Sequence, residues 1–167
     1  MNINNTPEMY DDVSIDDKEK EKEQLLMNET DILQGILDLA KNKDLPENYR
    51  KIQIKRNGQL KLEFRVRPLG EDENRLCWKQ ATPRVKNKGA EPETNVVKYR
   101  SLLIYSATIN EDRAKIWDNQ KAKDALGIFE SWEMIDNIIL PGEKSRIIEI
   151  IDEISGSDAD VEENAKN

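Results

Sequence analysis

Residues 50–67 read RKIQIKRNGQLKLEFRVR, and this stretch decides the fold class. Ile52 and Ile54 alternate with Lys51, Gln53 and Lys55, while Leu60, Leu62, Phe64 and Val66 alternate with Lys61, Glu63, Arg65 and Arg67. Alternation with a period of two marks strands with one apolar face, and Asn57-Gly58 between the two runs marks a hairpin. A two-residue turn would set Ile54 opposite Lys61 and mix the faces. A three-residue loop, Arg56-Asn57-Gly58, sets Ile54 opposite Leu60 and Ile52 opposite Leu62, keeps one face apolar, and is the expected register. The polar face carries seven Lys or Arg against one Glu. It reads either as a solvated face or as a docking surface for an acidic partner or the chain's own acidic tails. Lys51, Lys55, Arg56, Lys61 and Arg65 are its candidate contacts.

Working outward, the remaining apolar patterns are helical. Upstream, Ile32, Leu33, Ile36, Leu37 and Ala40 recur at 3.6-residue spacing after Thr30 or Asp31, either of which can cap a helix ending near Lys43. That helix either packs on its own domain or forms an arm that engages a partner. Downstream, Pro68 and Gly70 end the hairpin, and Glu71 to Ala81 form a helix carrying Leu76, Cys77 and Trp78. Residues 82–93, with Pro83, Gly89 and Pro92, read as an exposed loop. Thr94 caps a helix through Val96, Val97, Leu102, Leu103, Ile104 and Ala107. Asn110 to Trp117 is a connection, and Asp118 caps a short helix closed by Gly127.

The last third predicts a helical pair. Ser131 caps a segment with Met134, Ile135, Ile138 and Ile139. In Leu140-Pro141-Gly142-Glu143, Pro141 takes the first helical position, where no amide hydrogen is needed, and Glu143 meets the positive end of the helix dipole. Ile147, Ile148, Ile151 and Ile154 form an apolar stripe ended by Gly156. The expected fold is therefore mainly α with a small antiparallel β-hairpin, an α+β arrangement. Residues 1–28 are expected to be a disordered acidic arm, 29–156 a helical domain with the hairpin at 50–67, and 157–167 a disordered acidic tail.

Composition narrows the chemistry. The 167 residues carry a formal charge of −8 with 36% charged and 5% aromatic residues. Residues 1–31 hold ten acids and three bases, and residues 155–167 four acids and one base, so the middle is left at +2 and the acidity belongs to the ends. Nucleic acid and anionic membrane are disfavoured as general partners. No apolar run approaches the roughly 18 residues that span a bilayer, and MNINNTPEMYDDVSIDDKEK at the start lacks a secretory pattern, so a cytoplasmic location is expected.

Histidine is absent and Cys77 is the single cysteine, which removes the commonest general base, the commonest zinc ligand and any disulfide within the chain. Cys77, beside Trp78, is expected to be buried and inert. Phosphate-binding loops do not occur. Ser101, Ser106 and Ser131 have no histidine to activate them. Acid pairs such as Asp11-Asp12 and Glu162-Glu163 lie where no fixed geometry is expected, and Asp158, Asp160 and Glu162 lack the glycine and closing Glu of a calcium loop. No catalytic residue, metal or cofactor is expected, and the chain reads as a binding protein and not an enzyme.

Several of these segments together resemble the XkdN-like family of phage tail assembly chaperones, found in contractile-tail phages and tail-like prophage elements of Gram-positive bacteria. Arg65-Val66-Arg67-Pro68-Leu69 resembles the end of the family's two-stranded element, and Gly70-Glu71-Asp72-Glu73 the polar stretch before its next helix. Asn95, Tyr99, Leu102 and Leu103 match a later helix. The closest stretch is Ala125-Leu126-Gly127-Ile128, then Leu140-Pro141-Gly142-Glu143, then Ile147, Ile151 and Gly156. Gly127, Pro141, Gly142, Glu143 and Gly156 are the structural positions that the resemblance picks out. Where the family usually has a Pro-containing connector, this chain has Asn110-Glu111-Asp112.

The resemblance implies a chaperone that binds the tape measure protein, keeps it soluble while the tail tube assembles, and is not retained in the mature particle. The tape measure protein is the implied partner, with the tail tube protein as a second candidate. No small-molecule substrate is implied, and self-association stays open. Trp132, Met134, Ile138 and Ile139 are candidate client contacts, because Met adapts to varied partners and Trp is a frequent hot spot, although all four fit an ordinary core as well. The competing readings are a structural tail or neck component and, behind it, a nucleic-acid-binding regulator using the basic hairpin.

Overall fold

The computed structural model describes residues 15–41, 46–86 and 89–157. The chain divides into two units, Met1–Asn42 and Lys43–Asn167.

In the first unit, α1 runs from Ile15 to Lys41. The helix begins well before the expected Thr30 or Asp31 cap and occupies half of the arm expected to be disordered. Two physical features favour it. Glu, Lys, Gln and Leu are good helix formers, and the alternating charges put Asp17 and Lys20, Lys18 and Glu21, Glu19 and Lys22 three residues apart on one face. Thr30 is not a cap: its hydroxyl donates back to the Leu26 carbonyl at 2.9 Å, inside the helix. The apolar positions Leu26, Ile32, Leu33, Ile36, Leu37 and Leu39 are all exposed, Ile32 at 63% and Leu39 at 74%. Of the two readings of this stripe, the exposure fits an arm rather than a packed helix.

The second unit opens with a 3-10 turn, Pro46–Asn48, and the hairpin, β1 Arg50–Arg56 and β2 Gln59–Val66. The strands pair antiparallel, but not in the expected register: Ile52 faces Phe64 and Ile54 faces Leu62, while Lys55 faces Leu60 and Arg56 faces Gln59. The turn is the two-residue one, with Asn57 and Gly58 both in the left-handed region (φ 50° and 75°), as a turn matched to strand twist demands. The mixing of faces that this turn would cause is relieved by a bulge between Ile54 and Lys55, with Lys61 the extra residue on β2. Ile52, Ile54, Phe64 and Val66 are buried as a result, and Leu60 at the tip stays exposed.

The helices follow as α2 Glu71–Ala81, α3 Val96–Ala107, α4 Asn110–Lys115, α5 Gln120–Leu126, α6 Ser131–Ile138 and α7 Pro141–Asp152, with a π turn at Glu153–Ser157. The chain is mostly helical with one antiparallel hairpin, as expected. Four boundaries differ by a residue or more. Asn95, not Thr94, caps α3 by accepting the Lys98 amide at 3.0 Å, and Thr94 instead meets the Thr82 hydroxyl at 2.7 Å. The Asn110–Trp117 connection contains α4. Asn119, not Asp118, caps α5 by accepting the Ala122 amide at 3.1 Å. Ser131 is the first residue of α6, and its hydroxyl donates to Asp118, which also accepts from the Tyr105 hydroxyl at 3.1 Å.

Two buried clusters hold the second unit together. The larger joins Ile52, Ile54, Phe64 and Val66 of the hairpin to Ile104, Ala107, Trp117, Ile128, Met134, Ile135, Ile139, Ile147 and Ile151. Trp117 lies edge-on to Phe64, centroids 5.2 Å apart, and its indole Nε1 donates to the Thr108 hydroxyl at 2.9 Å. Thr108 also bridges to Val66, with Arg67 N donating to Ala107 O at 2.8 Å and Ile109 N to Arg65 O at 3.1 Å, so the free edge of β2 is partly satisfied. The smaller cluster is Cys77, Ala81, Leu102 and Leu103, with Tyr99 and Trp132 against it.

Candidate functional site

A protein that works by contact must keep apolar surface available, and the second unit keeps little where the sequence points first. Met134 and Ile139 are 1% and 2% exposed and belong to the core. Neither side chain is open to a client in this structure. Spacing at i, i+1, i+4, i+5 identifies an apolar side of a helix but not what covers it. Trp132 is half-buried: its indole Nε1 donates to Glu130, and Lys98 Nζ sits 5.3 Å from the ring centroid. Ile138 alone of the four is substantially open, at 36%. Phe129, just before α6 and 90% exposed, is the more available side chain, and no apolar periodicity in the sequence marks it.

The basic hairpin face is largely neutralised within the fold. Lys51 pairs with Glu63 at 3.3 Å. Arg56 makes a two-pronged pair with Glu143, one prong at 2.9 Å, and Glu143 also accepts the Leu140 amide at the start of α7. Arg65 grips Asp112 through Nε at 3.0 Å and Nη2 at 2.9 Å, reaches Glu111 at 3.1 Å, and its own amide donates to Asp112 at 2.8 Å. Such forked pairs fix position as well as charge. The Arg65 bonds hold the Asp112 carboxyl below its ordinary range, and Arg56 does the same for Glu143. Arg67 similarly lowers Glu73, which accepts the Gly70 amide at 3.0 Å. Lys55 and Lys61 remain exposed, with Lys61 Nζ donating to the Gln59 side chain at 2.8 Å. Three of the five cations proposed as a docking surface are therefore engaged with carboxylates.

Of the positions marked by resemblance, Gly127, Pro141, Glu143 and Gly156 sit at helix ends, and Gly142 shows no comparable constraint. Gly127 sits in the left-handed region (φ 66°) and closes α5. Pro141 is the first residue of α7. Gly156 (φ 112°) ends the run that α7 begins. A Cβ added at Gly142 would meet nothing within 4 Å.

The serines are engaged elsewhere. Ser101 is fully buried and accepts from Lys144 Nζ at 3.0 Å, and Lys144 also pairs with Asp136. Ser106 meets the Cys77 thiol at 3.3 Å. Burial pushes the Cys77 thiol up, away from the reactive thiolate. Among the described residues no cluster of metal-binding side chains occurs and no helix is long and apolar enough to cross a membrane. The acid pairs at 11–12 and 162–163, the Asp158–Glu162 stretch and nearly all of the 157–167 tail lie outside the described residues.

Open surface among the described residues includes the α1 stripe and a groove of about 400 Å³ in the second unit. The groove lies between the hairpin tip, the end of α4, α5 and α6.

Comparison with known proteins sets the class. Residues 33–167 match a family described as phage XkdN-like tail assembly chaperone protein, which makes this a phage tail assembly chaperone by class. The match spans most of the chain, and the chain belongs to that XkdN-like family. No curated protein matches it. A crystal structure of the protein YqbN aligns at 11% identity with a TM-score of 0.42, covering 68% of this chain and 93% of that one.

Proposed function

We propose that this chaperone binds the tape measure protein in the host cytoplasm, keeps it soluble while the tail tube assembles around it, and leaves before the particle matures. The tail tube protein is a second contact. The work is done by surface complementarity, without catalysis. The observation that carries this reading is the apolar stripe of α1, exposed from Leu26 to Leu39 in a chain that belongs to the tail assembly chaperone family. Its later part, Leu33, Ile36 and Leu37, falls inside the family match. Contiguous apolar surface on a charged protein marks an interaction site, and a long amphipathic helix meets a helical client through positions three, four and seven apart. The acid-rich start of α1 suits a holdase, since like charges keep free copies apart.

The test is co-expression with fragments of the tape measure protein. The native chaperone is expected to raise the soluble share of a fragment and to co-purify with it. Leu33→Glu with Leu37→Glu, both at exposed positions, is expected to remove both effects while the second unit stays folded. Equal solubilisation by the double variant, or no co-purification of any fragment with the native chain, would contradict the reading.

A further inference from the structure

We propose that the groove between the hairpin tip and α4–α6 receives an amphipathic helix with acidic flanks from the client. This rests on the client-binding reading above and names the chemistry of the segment bound. The buried side chains Ile54 and Met134 form the floor, and Leu62, Ile116 and Ala122 are the half-buried walls. Ile138 stands at the rim. About 400 Å³ is within the range of binding clefts and takes two or three aliphatic side chains from one face of a helix.

The charge around this apolar floor has one sign. Arg56, Lys61 and Lys115 are its charged lining residues, and no carboxylate lines it. Arg56 is held by Glu143. Lys61 and Lys115 are exposed, one on the hairpin wall and one on the helical wall, and among the described residues neither forms an ion pair. A helix lying in the groove would bring its flanking residues to these two ammonium groups, and acidic flanks complement them. Nucleic acid suits the site poorly, because no aromatic side chain lines it to stack a base.

The experiment uses the full chain and two labelled helical peptides that share one leucine stripe and differ in flanks, Glu in one and Lys in the other. Anisotropy is expected to show the Glu peptide binding about tenfold more tightly, with the advantage shrinking as salt rises. Lys61→Glu with Lys115→Glu, both at exposed positions, is expected to invert the preference, and Ala122→Trp to weaken both peptides by filling the groove. Equal affinity for the two peptides, or a preference unmoved by the charge reversal, would overturn the inference. Displacement of the Glu peptide by a peptide of residues 15–41 but not by tape measure fragments would also overturn it, by assigning the groove to a second copy of this chain. Displacement by an oligonucleotide but not by those fragments would do the same. The two proposals separate cleanly. If the lysine reversal leaves co-expression solubility intact while the Leu33 and Leu37 changes abolish it, the groove inference fails and the chaperone reading stands. If the Glu peptide binds as expected but no tape measure fragment does, the failure lies in the client assigned.

Discussion

The α1 stripe and the α6–α7 stripe look alike as sequence and end in opposite places. Ile32, Leu33, Ile36 and Leu37 recur at the same helical spacing as Met134, Ile135, Ile138 and Ile139, and both patterns read as an apolar side needing a cover. In α6 and α7 the cover is supplied from within the unit: Met134, Ile135, Ile139, Ile147 and Ile151 are buried against the hairpin, α3 and Trp117. In α1 every described side chain is exposed. The difference teaches that periodicity measures amphipathicity, whereas exposure records whether the partner is in the same unit. In a chaperone the uncovered stripe is the informative one.

The contrast can be broken by truncation. Ile135→Ala and Ile147→Ala each remove buried methylenes from a packed core and are expected to cost about 2–5 kcal/mol. Leu33→Ala and Ile36→Ala, at exposed positions, are expected to stay within about 0.5 kcal/mol. Urea unfolding followed by tryptophan fluorescence reads both. Equal losses in the two sets would mean that the α1 stripe is covered after all.

Thr108 sharpens the buried side of the contrast. Thr108→Val keeps the shape but leaves the Trp117 indole N–H without its acceptor, and the expected loss is about 1–3 kcal/mol in the same unfolding measurement. Within α1, Gly35→Ala adds a Cβ that meets nothing within 4 Å. It is expected to stabilise that helix by roughly 1 kcal/mol, seen as increased helicity in circular dichroism with the urea midpoint of the second unit unchanged.

The smallest effect concerns acid. Arg65, Arg67 and Arg56 lower the carboxyls of Asp112, Glu73 and Glu143 respectively. A lowered folded-state value means that the native state binds fewer protons than the unfolded chain. The stability is therefore present above the ordinary carboxylate range and is lost as pH falls through that range toward the lowered values. Asp152, raised by burial, works in the opposite direction. The urea midpoint is expected to fall with acid, and less steeply in Asp112→Asn. An unchanged slope in that variant would remove Asp112 from the account.

Much of the fold was legible. Gly70 and Pro141 set the starts of α2 and α7, Gly127 closed α5, and the period-two runs located both strands. The hairpin register was not legible, because a bulge at Lys61 reconciles a tight Asn57-Gly58 turn with an apolar face, and no residue pattern announces a bulge. The first half of α1 was missed because residues 16–23 are all charged; its helix rests on propensity and charge spacing, not apolar period. The site was legible only in part. Ile138, Arg56 and Lys61 do line the groove, but Ile116, Ala122 and Lys115 join them from other elements through tertiary packing, which spacing along the chain does not encode. Lys144 shows the same limit from inside: nothing around it in sequence marks a buried ammonium held by Ser101 and Asp136.

The central claim, that the open α1 stripe is where the client binds, is tested most directly by hydrogen exchange with and without a tape measure fragment. The α1 amides are expected to exchange quickly in the free chain, since a lone amphipathic helix is marginal in water, and to become strongly protected when the fragment is added. Unchanged exchange across Leu26–Lys41 in a sample where the fragment is demonstrably bound would contradict the account.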